Sequence, residues 1–139
     1  MIFESTIAYT TIDKNGNDKV VKVMNLHENA GLFGQVESVL YEKYCDLTGF
    51  DVLAIKISKL KEIINEAPQG ETECKIYFAT ICDHILTEEG DVKDMQYSVA
   101  LHAHDINEAH KAIDKYMKQG MEDMELVGLK CTKYLKVLK

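Results

Sequence analysis

An internal duplication limits the possible folds of this chain more than any other feature of its sequence. Three pairs of similar segments occur in the same order, with a shift of six residues and then of one residue between successive pairs. The pairs are residues 7–12 with 76–81, 26–27 with 101–102, and 52–60 with 126–134. Such shifts fit a hairpin loop and a helix end, where insertions are tolerated. The sequence therefore predicts two β-β-α-β units, over residues 2–64 and 71–137, with a linker at 65–70.

Each predicted unit begins with a β-hairpin. Residues 2–12 and 19–26 are rich in β-branched and aromatic side chains, and Asn15-Gly16 between them is a strong signal for a two-residue turn. With that turn, Ile7 would lie opposite Met24. The core-facing residues predicted in this way are Phe3, Ile7, Tyr9, Val20, Met24 and Leu26 in the first hairpin, and Ile76, Phe78, Met95, Tyr97, Val99 and Leu101 in the second.

A helix and a third strand complete each predicted unit. Asp105 is a suitable N-cap for the second helix, and Gly120 is a suitable end. The helix-forming apolar stripes are Leu32, Val36, Val39, Leu40 and Tyr44, and Ile106, Ala109, Ile113, Tyr116 and Met117. The third strands would turn Leu53, Ile55, Ile57, Val127, Leu129 and Cys131 toward the helices. The predicted fold class is α+β, a single domain over residues 1–139 whose mostly antiparallel six-stranded sheet carries two helices on one face.

The charge of the chain disfavours general binding to nucleic acid or to anionic membranes. The 139 residues carry a formal net charge of −7, whereas such binding depends on clustered Lys and Arg. Residues 1–5 do not form the basic and then apolar segment that begins a signal peptide, and no apolar run approaches the roughly 20 residues that span a bilayer. We therefore expect a soluble, cytoplasmic protein.

The helix-free face of the predicted sheet indicates self-association. We expect four residues there, Val21, Val23, Tyr77 and Ile81, to form an interface. Left uncovered, they would contribute to an apolar patch larger than soluble monomers usually expose. Contact with a second copy is the simplest cover, because a two-fold axis matches each patch with its own copy. The sequence therefore predicts a homo-oligomer.

Two lysines on the same predicted face suggest a site for a small anion. Lys56 and Lys130 occupy equivalent positions in the two units, and each is followed two residues later by a hydroxyl, from Ser58 or Thr132. If the equivalent strands lie close together, these side chains and Tyr134 could bind an anionic ligand such as a nucleotide through charge and hydroxyl donors. The alternative is an ordinary solvated strand face.

No motif for catalysis or for cofactor binding occurs in the sequence. It contains neither a glycine-rich phosphate loop nor Gly-x-Ser-x-Gly, so we predict no catalytic residues and no cofactor. His102 and His104 could approach His110, but both stand at a predicted strand-to-helix junction where polar residues are common, and no bound metal is predicted. Cys74 and Cys82 would lie roughly 27 Å apart on an extended strand, too far to bind one ion together.

Three segments of the second unit resemble an uncharacterised family found in Bacteroidetes and their phages. They are residues 75–81, 103–109 and 120–127. The sequence departs from the family pattern at residues 29–34 and at Lys133. The resemblance implies a phage or mobile-element context and a role without catalysis.

Together, these observations predict a homo-oligomeric, non-enzymatic accessory protein of a phage or mobile element. Its partner would be a host protein or a small nucleotide-like anion that it sequesters, and its purpose could be to counter host defence. One alternative is a structural or assembly component of a virion. Another is a small metal-dependent enzyme built on His102, His104 and His110.

Overall fold

The structure, a computed structural model, describes residues 1–65, 74–119 and 123–138. Its elements are β1 (Phe3–Ile12), β2 (Asp18–His27), α1 (Phe33–Tyr44), β3 (Asp51–Ile57), β4 (Glu62–Ile63), β5 (Lys75–Leu86), β6 (Val92–Ala103), α2 (Ile106–Lys118), β7 (Asp123–Cys131) and β8 (Tyr134–Leu138). This mixture confirms the predicted α+β class. Among the described residues, no helix is both long enough and apolar enough to cross a membrane.

The strands form two sheets of four, so the prediction of one six-stranded sheet is wrong. The strand orders are β3-β1-β2-β8 and β4-β6-β5-β7. The chain divides accordingly into two compact units. The first unit comprises Met1–Ser58 with Tyr134–Lys139, and the second comprises Lys59–Lys133.

The fourth strand of each sheet is the element that the sequence patterns did not predict. β4 pairs in parallel with β6, and β8 pairs in parallel with β2. Each of these strands therefore follows one repeat along the chain and completes the sheet of the other. They contain two and five residues, too few for a clear alternating pattern. In the predicted linker, residues 66–70 lie outside the described residues.

The two sheets repeat the same pairings at a constant spacing of 74 residues. Phe3 pairs with His27 in the first sheet, and Tyr77 pairs with Leu101 in the second. The same spacing of 74 residues separates β4 from β8, and it also separates the residues of β6 and β2 with which these two strands pair. A residue of one unit thus has a defined structural equivalent in the other.

The constant spacing corrects the predicted alignment of the first strands. Ile7 corresponds to Ile81 rather than to Ile76, and no insertion separates the repeats between their first and last strands. A register irregularity follows Thr6 in the pairing with β3, and the matching one follows Thr80 in the pairing with β7. Two similar apolar β segments therefore gave a plausible alignment in the wrong register.

The first hairpin turns over one residue more than predicted. Asp13 N donates to Asn17 O, and the Asp13 carboxylate accepts the amides of Asn15 and Asn17 at 2.8 and 3.0 Å. This side-chain arrangement competes successfully with the two-residue Asn-Gly turn. As a result, Ile7 lies opposite Val23 and not opposite Met24 as predicted.

That one-residue shift reverses the predicted faces of β2, because successive strand residues point to opposite sides. Val21 and Val23 share the helix-covered face with Ile7, and the predicted placement of Met24 and Leu26 on that face is wrong. In the second unit the predicted face of β6 is correct, whereas Ile76 and Phe78 of β5 lie on the opposite face.

Helix α1 covers the core of the first unit. The buried members are Phe3, Ile7, Val36, Leu40 and Leu138, with Val23, Ala30, Val39, Tyr44, Phe50, Val52 and Ile55 packed against them. The bulge in the β1–β3 pairing places Val52 opposite Ile7 and leaves Leu53 exposed, so only Ile55 of the predicted β3 set packs here. Ile57 is also largely exposed.

Helix α2 covers the core of the second unit. The buried members are Tyr77, Ala79, Ile81, Val99, Leu101, Ala103, Ala109 and Ile113, with Leu126 and Leu129 among those packed against them. The predicted N-cap is confirmed, because Asp105 Oδ1 accepts the amide of Glu108 at 2.8 Å. The bulge puts Leu126 in the place predicted for Val127, which is exposed. The predicted helix end at Gly120 lies outside the described residues.

Candidate functional site

A groove of about 500 Å³ lies in the first unit, between the end of β2 and the beginning of α1. It is lined by His27, Glu28, Asn29, Ala30, Leu32, Gly34, Gln35, Val36, Ser38, Val39 and Leu138. Most of its wall is apolar, and its polar groups come from the end of β2, the β2–α1 loop and the first turns of the helix. This combination is typical of small-ligand sites.

A buried histidine lines the groove. His27 is only 2% exposed, and its Nε2 atom lies 2.7 Å from Ser5 Oγ across the β1–β2 pair. Burial lowers the pKa of His27 to about 4, so the ring is neutral at pH 7. Within the described part of the chain, its Nδ1 atom has no hydrogen-bond partner. A neutral imidazole can offer that atom to a ligand as either a donor or an acceptor.

Asn25 is a second buried polar residue on the same face of β2. It is fully buried, and its Nδ2 atom donates to the Tyr44 hydroxyl at 3.2 Å. Its Oδ1 atom finds no partner among the residues that the structure describes. Leaving a buried carbonyl oxygen unpaired costs about 1–3 kcal/mol. The unpaired oxygen of Asn25 therefore destabilises the first unit.

The second unit shows that the fold does not require these polar residues. At the spacing of 74 residues, Ser5, Asn25 and His27 correspond to Ala79, Val99 and Leu101, which are all buried and apolar. In both units, equivalent strands pack against an equivalent helix. The architecture therefore does not require polar side chains at these three positions, of which His27 lines the groove.

The first turn of α1 also differs from the first turn of α2, in the charge of its side chains. Asp105 and Glu108 place two carboxylates at the start of α2, whereas the equivalent residues in α1 are Gly31 and Gly34. The first turn of α1 contains no acidic residue, and Gln35 Oε1 accepts the Gly31 amide at 2.6 Å. In the described residues, no acceptor contacts the amides of Phe33 and Gly34.

Three of the five predicted ligand-binding residues come together on a carboxylate of the chain itself. Lys56 Nζ lies 3.3 Å from Glu4 Oε2, and Ser58 Oγ donates to Glu4 Oε1 at 3.2 Å. Burial, followed by a hydrogen bond with Glu4, raises the pKa of Tyr134. Glu4 therefore occupies the position in which an anionic ligand was expected.

The other two predicted ligand-binding residues have different surroundings. Lys130 lies opposite Phe78 on β5, at the position that Glu4 and Lys56 occupy in the first unit. Thr132 Oγ1 donates to the carbonyl of Ile76 at 2.7 Å. The two units thus do not carry matching polar sites at these positions.

The four predicted interface residues lie on helix-covered faces, so their assignment to a helix-free face is wrong. Tyr77 and Ile81 are buried in the core of the second unit, and Val23 packs against the core of the first. Val21 lies on the same side of β2 as Val23. The physical cause is the register of the strands, which the hydrophobic pattern left uncertain by one residue.

The three histidines considered as metal ligands have separate partners. His102 Nδ1 lies 3.0 Å from the carbonyl of Asn65, and His110 Nδ1 lies 3.2 Å from Asp114 Oδ2. His104 Nδ1 lies 2.9 Å from Glu108 Oε2. The described residues bring none of these histidines into a group of three potential metal ligands.

One such group occurs elsewhere in the second unit, and it comprises Cys82, His84 and Asp94. Burial raises the pKa of Cys82, and the hydrogen bond with Asp94 raises the pKa of His84. Sequence reasoning missed this group because Asp94 comes from the strand opposite His84. It missed His27 because the alternating pattern placed that residue at a strand end, where polar residues are common.

The chain belongs to the family described as domain of unknown function DUF4494, whose model matches residues 1–139. This confirms that the chain is a member of an uncharacterised family. No curated protein matches the chain, and no solved structure does.

Proposed function

We propose that this member of the DUF4494 family is a non-enzymatic binding protein that holds a small organic anion in the groove of the first unit. The proposal includes a phage or mobile-element origin, a cytoplasmic location and sequestration of the ligand as the biological task. Homo-oligomer formation stays a prediction without an assigned surface. The groove replaces the lysine and hydroxyl residues of the predicted anion site.

The observation that carries the proposal is the difference between the two units. Both build the same sheet and helix, but only the first has Ser5, Asn25 and His27 in place of buried apolar residues. Buried polar groups cost free energy unless they are fully hydrogen-bonded. His27 is the one of these three residues that lines the groove, where a ligand could hydrogen-bond to its second nitrogen.

The beginning of α1 favours an anionic group in that ligand. The free amides and the dipole of a helix N-terminus attract negative charge, and α1 has Gly31 and Gly34 where α2 has carboxylates. The groove thus joins an anion-attracting end to an apolar wall formed by Val36, Val39 and Leu138. A carboxylate or phosphate attached to an apolar body fits this arrangement.

The Ser5–His27 pair supports binding rather than nucleophilic catalysis. A general base works best with a pKa near the working pH, and burial lowers the pKa of His27 to about 4. Ser5 is only 2% exposed, so its hydroxyl has little access to a substrate carbonyl. Its hydroxyl instead fixes the orientation of the imidazole ring.

Calorimetric titration with a panel of ligands tests the proposal. The panel contains nucleoside monophosphates, medium-chain carboxylic acids and the corresponding neutral amides. We expect at least one anion to bind and its neutral analogue to bind at least ten times more weakly. Binding by neither class, or equal binding of an acid and its amide, would contradict the proposal.

Matched substitutions locate the site. Gly34→Glu adds the carboxylate that α2 has at this position, and Gly34→Gln adds a neutral side chain of the same size. We expect Gly34→Glu to weaken anion binding much more than Gly34→Gln, because only the carboxylate repels the ligand. Replacing Lys56 and Lys130 together with alanine should leave binding unchanged. If the lysine double variant loses anion binding and Gly34→Glu keeps it, the anion site lies on the lysines and not in the groove.

Native mass spectrometry of protein purified from its expression host gives an independent test. It reports the oligomeric state and any retained ligand in one measurement. A retained small molecule that is lost in His27→Leu supports the groove. Tight self-association of a ligand-free protein that binds no member of the panel would instead favour a structural role.

A further inference from the structure

A second cluster of reactive side chains lies in the second unit, on the face of β5 that α2 does not cover. Cys82 and His84 are two residues apart on β5 and therefore share a face. Asp94 on β6 lies opposite His84, and Glu125 on β7 lies opposite Cys82. Single ligand atoms of Cys82, His84 and Asp94 all lie within 4.8 Å of one another.

We propose that Cys82, His84 and Asp94 bind a zinc ion, and that Glu125 supplies a further carboxylate. Zinc accepts thiolate, imidazole and carboxylate ligands in one tetrahedral site. Calcium and magnesium prefer oxygen ligands, so the thiol and the imidazole argue against them. Donor atoms already within 4.8 Å of one another need only side-chain adjustments to reach the bond lengths of about 2.0–2.3 Å that zinc requires.

The surroundings of His84 are those of a metal-binding histidine. Its Nδ1 atom lies 2.6 Å from Asp94 Oδ1, and its Nε2 atom lies 3.5 Å from Glu125 Oε2. If Nδ1 binds the ion beside Asp94, the Nε2–H can donate to the Glu125 carboxylate, which holds the ring in place. A carboxylate in this second position is a regular feature of zinc-bound histidines.

The charge of the cluster favours a divalent cation. Asp123 lies opposite His84 on β7, so three carboxylates, including Asp94 and Glu125, lie close to a single imidazole. Even a protonated His84 leaves an excess of negative charge. A zinc ion would reduce that excess, and the like charges would otherwise repel one another.

Comparison of the two units shows that the fold does not require this cluster. At the spacing of 74 residues, Cys82, His84 and Asp94 correspond to Ala8, Thr10 and Val20. The first unit thus forms the same hairpin without any of the three ligands. This inference goes beyond the proposed function, since the groove and the cluster lie in different units and can fail independently.

Zinc titration of untagged, reduced and metal-free protein tests the site. With a chromophoric chelator as competitor, we expect one zinc ion per chain. Asp94→Asn changes a side chain that is 61% exposed, so the fold should survive, as circular dichroism can check. Zinc affinity should then fall by more than the roughly 10- to 100-fold that loss of an outer-shell partner costs. Cys82→Ala, which introduces the residue of the first unit, should do the same.

The chain offers a matched control in a second cysteine–histidine pair. Cys74 Sγ lies 3.7 Å from His104 Nε2, also in the second unit. Cys74→Ala and His104→Gln should leave zinc affinity unchanged. The proposal is overturned if the wild type binds no zinc, if Asp94→Asn binds it as tightly as the wild type, or if only the control variants lose it.

Cobalt substitution identifies the thiolate directly. Cobalt(II) bound by Cys82 should give a sulfur-to-metal charge-transfer band that disappears in Cys82→Ala and persists in Cys74→Ala. A cobalt complex without that band in the wild type would overturn the assignment of Cys82 as a ligand. This readout does not depend on anion binding in the groove.

Discussion

The buried imidazole of His27 should make the stability of the protein depend on pH in a way that one substitution removes. The pKa of this histidine is about 4 in the folded chain, compared with about 6.5 in an unfolded chain. The unfolded state therefore binds the proton more readily. The contribution of neutral His27 to stability is fully present above pH 6.5 and is lost as the pH falls toward 4.

The magnitude follows from the two pKa values. Between pH 7.5 and pH 5, the linkage relation gives a loss of about 2 kcal/mol from this single group. His27→Leu introduces the residue that the second unit has at the equivalent position, so the fold can accept it. Between pH 7.5 and pH 5, the free energy of unfolding should thus fall by about 2 kcal/mol more for the wild type than for His27→Leu, because other titrating groups contribute equally to both proteins.

Urea denaturation followed by circular dichroism at pH 5, 6 and 7.5 measures these free energies of unfolding. His110→Gln is the control, since it also removes a histidine, but one that is exposed on α2. Parallel curves for wild type and His27→Leu would refute the reasoning. A direct titration of the His27 ring by nuclear magnetic resonance that gave a pKa near 6.5 would refute it as well.

Two further predictions concern packing and buried hydrogen bonds. Tyr44→Phe leaves the buried amide of Asn25 without its hydrogen-bond acceptor and should lower the free energy of unfolding by about 1–3 kcal/mol. Tyr41→Phe, on the exposed side of the same helix, should cost far less, and equal losses would contradict the role of the hydrogen bond. Ile113→Ala should cost about 2–5 kcal/mol, because Ile113 is fully buried. Ile106→Ala, at an exposed position of α2, is its control, and a loss below about half a kcal/mol for Ile113→Ala would show that the residue is not part of the core.

Equivalent positions in the two units diverge in complementary ways. The first unit carries Ser5 and His27 under its helix, where the second has only apolar residues. The second unit carries Cys82 and His84 on its hairpin, where the first has Ala8 and Thr10. Because the strand pairings agree throughout, each unit serves as an internal reference for what the other does not need for folding.

The local features of this protein could be predicted from its sequence. Alternating β-branched and aromatic residues predicted both hairpins, and the helical spacing of residues such as Ala109 and Ile113 predicted α2 and its buried face. Asp105 identified the beginning of that helix, as the structure confirms. These features depend on interactions between residues close in sequence, so a short pattern contains most of the physical cause.

The strand register and the pairing of β4 with β6 and of β8 with β2 became clear only from the tertiary structure. The side chain of Asp13 set a turn one residue longer than expected, and this moved Val21 and Val23 to the other face of the sheet. The bulges had the same effect on Leu53 and Val127. A pattern with a period of two cannot resolve a shift of one residue, because both registers pair the same backbone groups.

The candidate sites also depended on the tertiary structure. Ser5 and His27 are 22 residues apart and meet through the pairing of β1 with β2. His84 and Asp94 are 10 residues apart and meet across β5 and β6. No spacing along the chain marks either pair, because the contact exists only once the hydrogen-bond register of two strands is fixed. The sequence supplied the reactive side chains, and the register of the sheets brought them together.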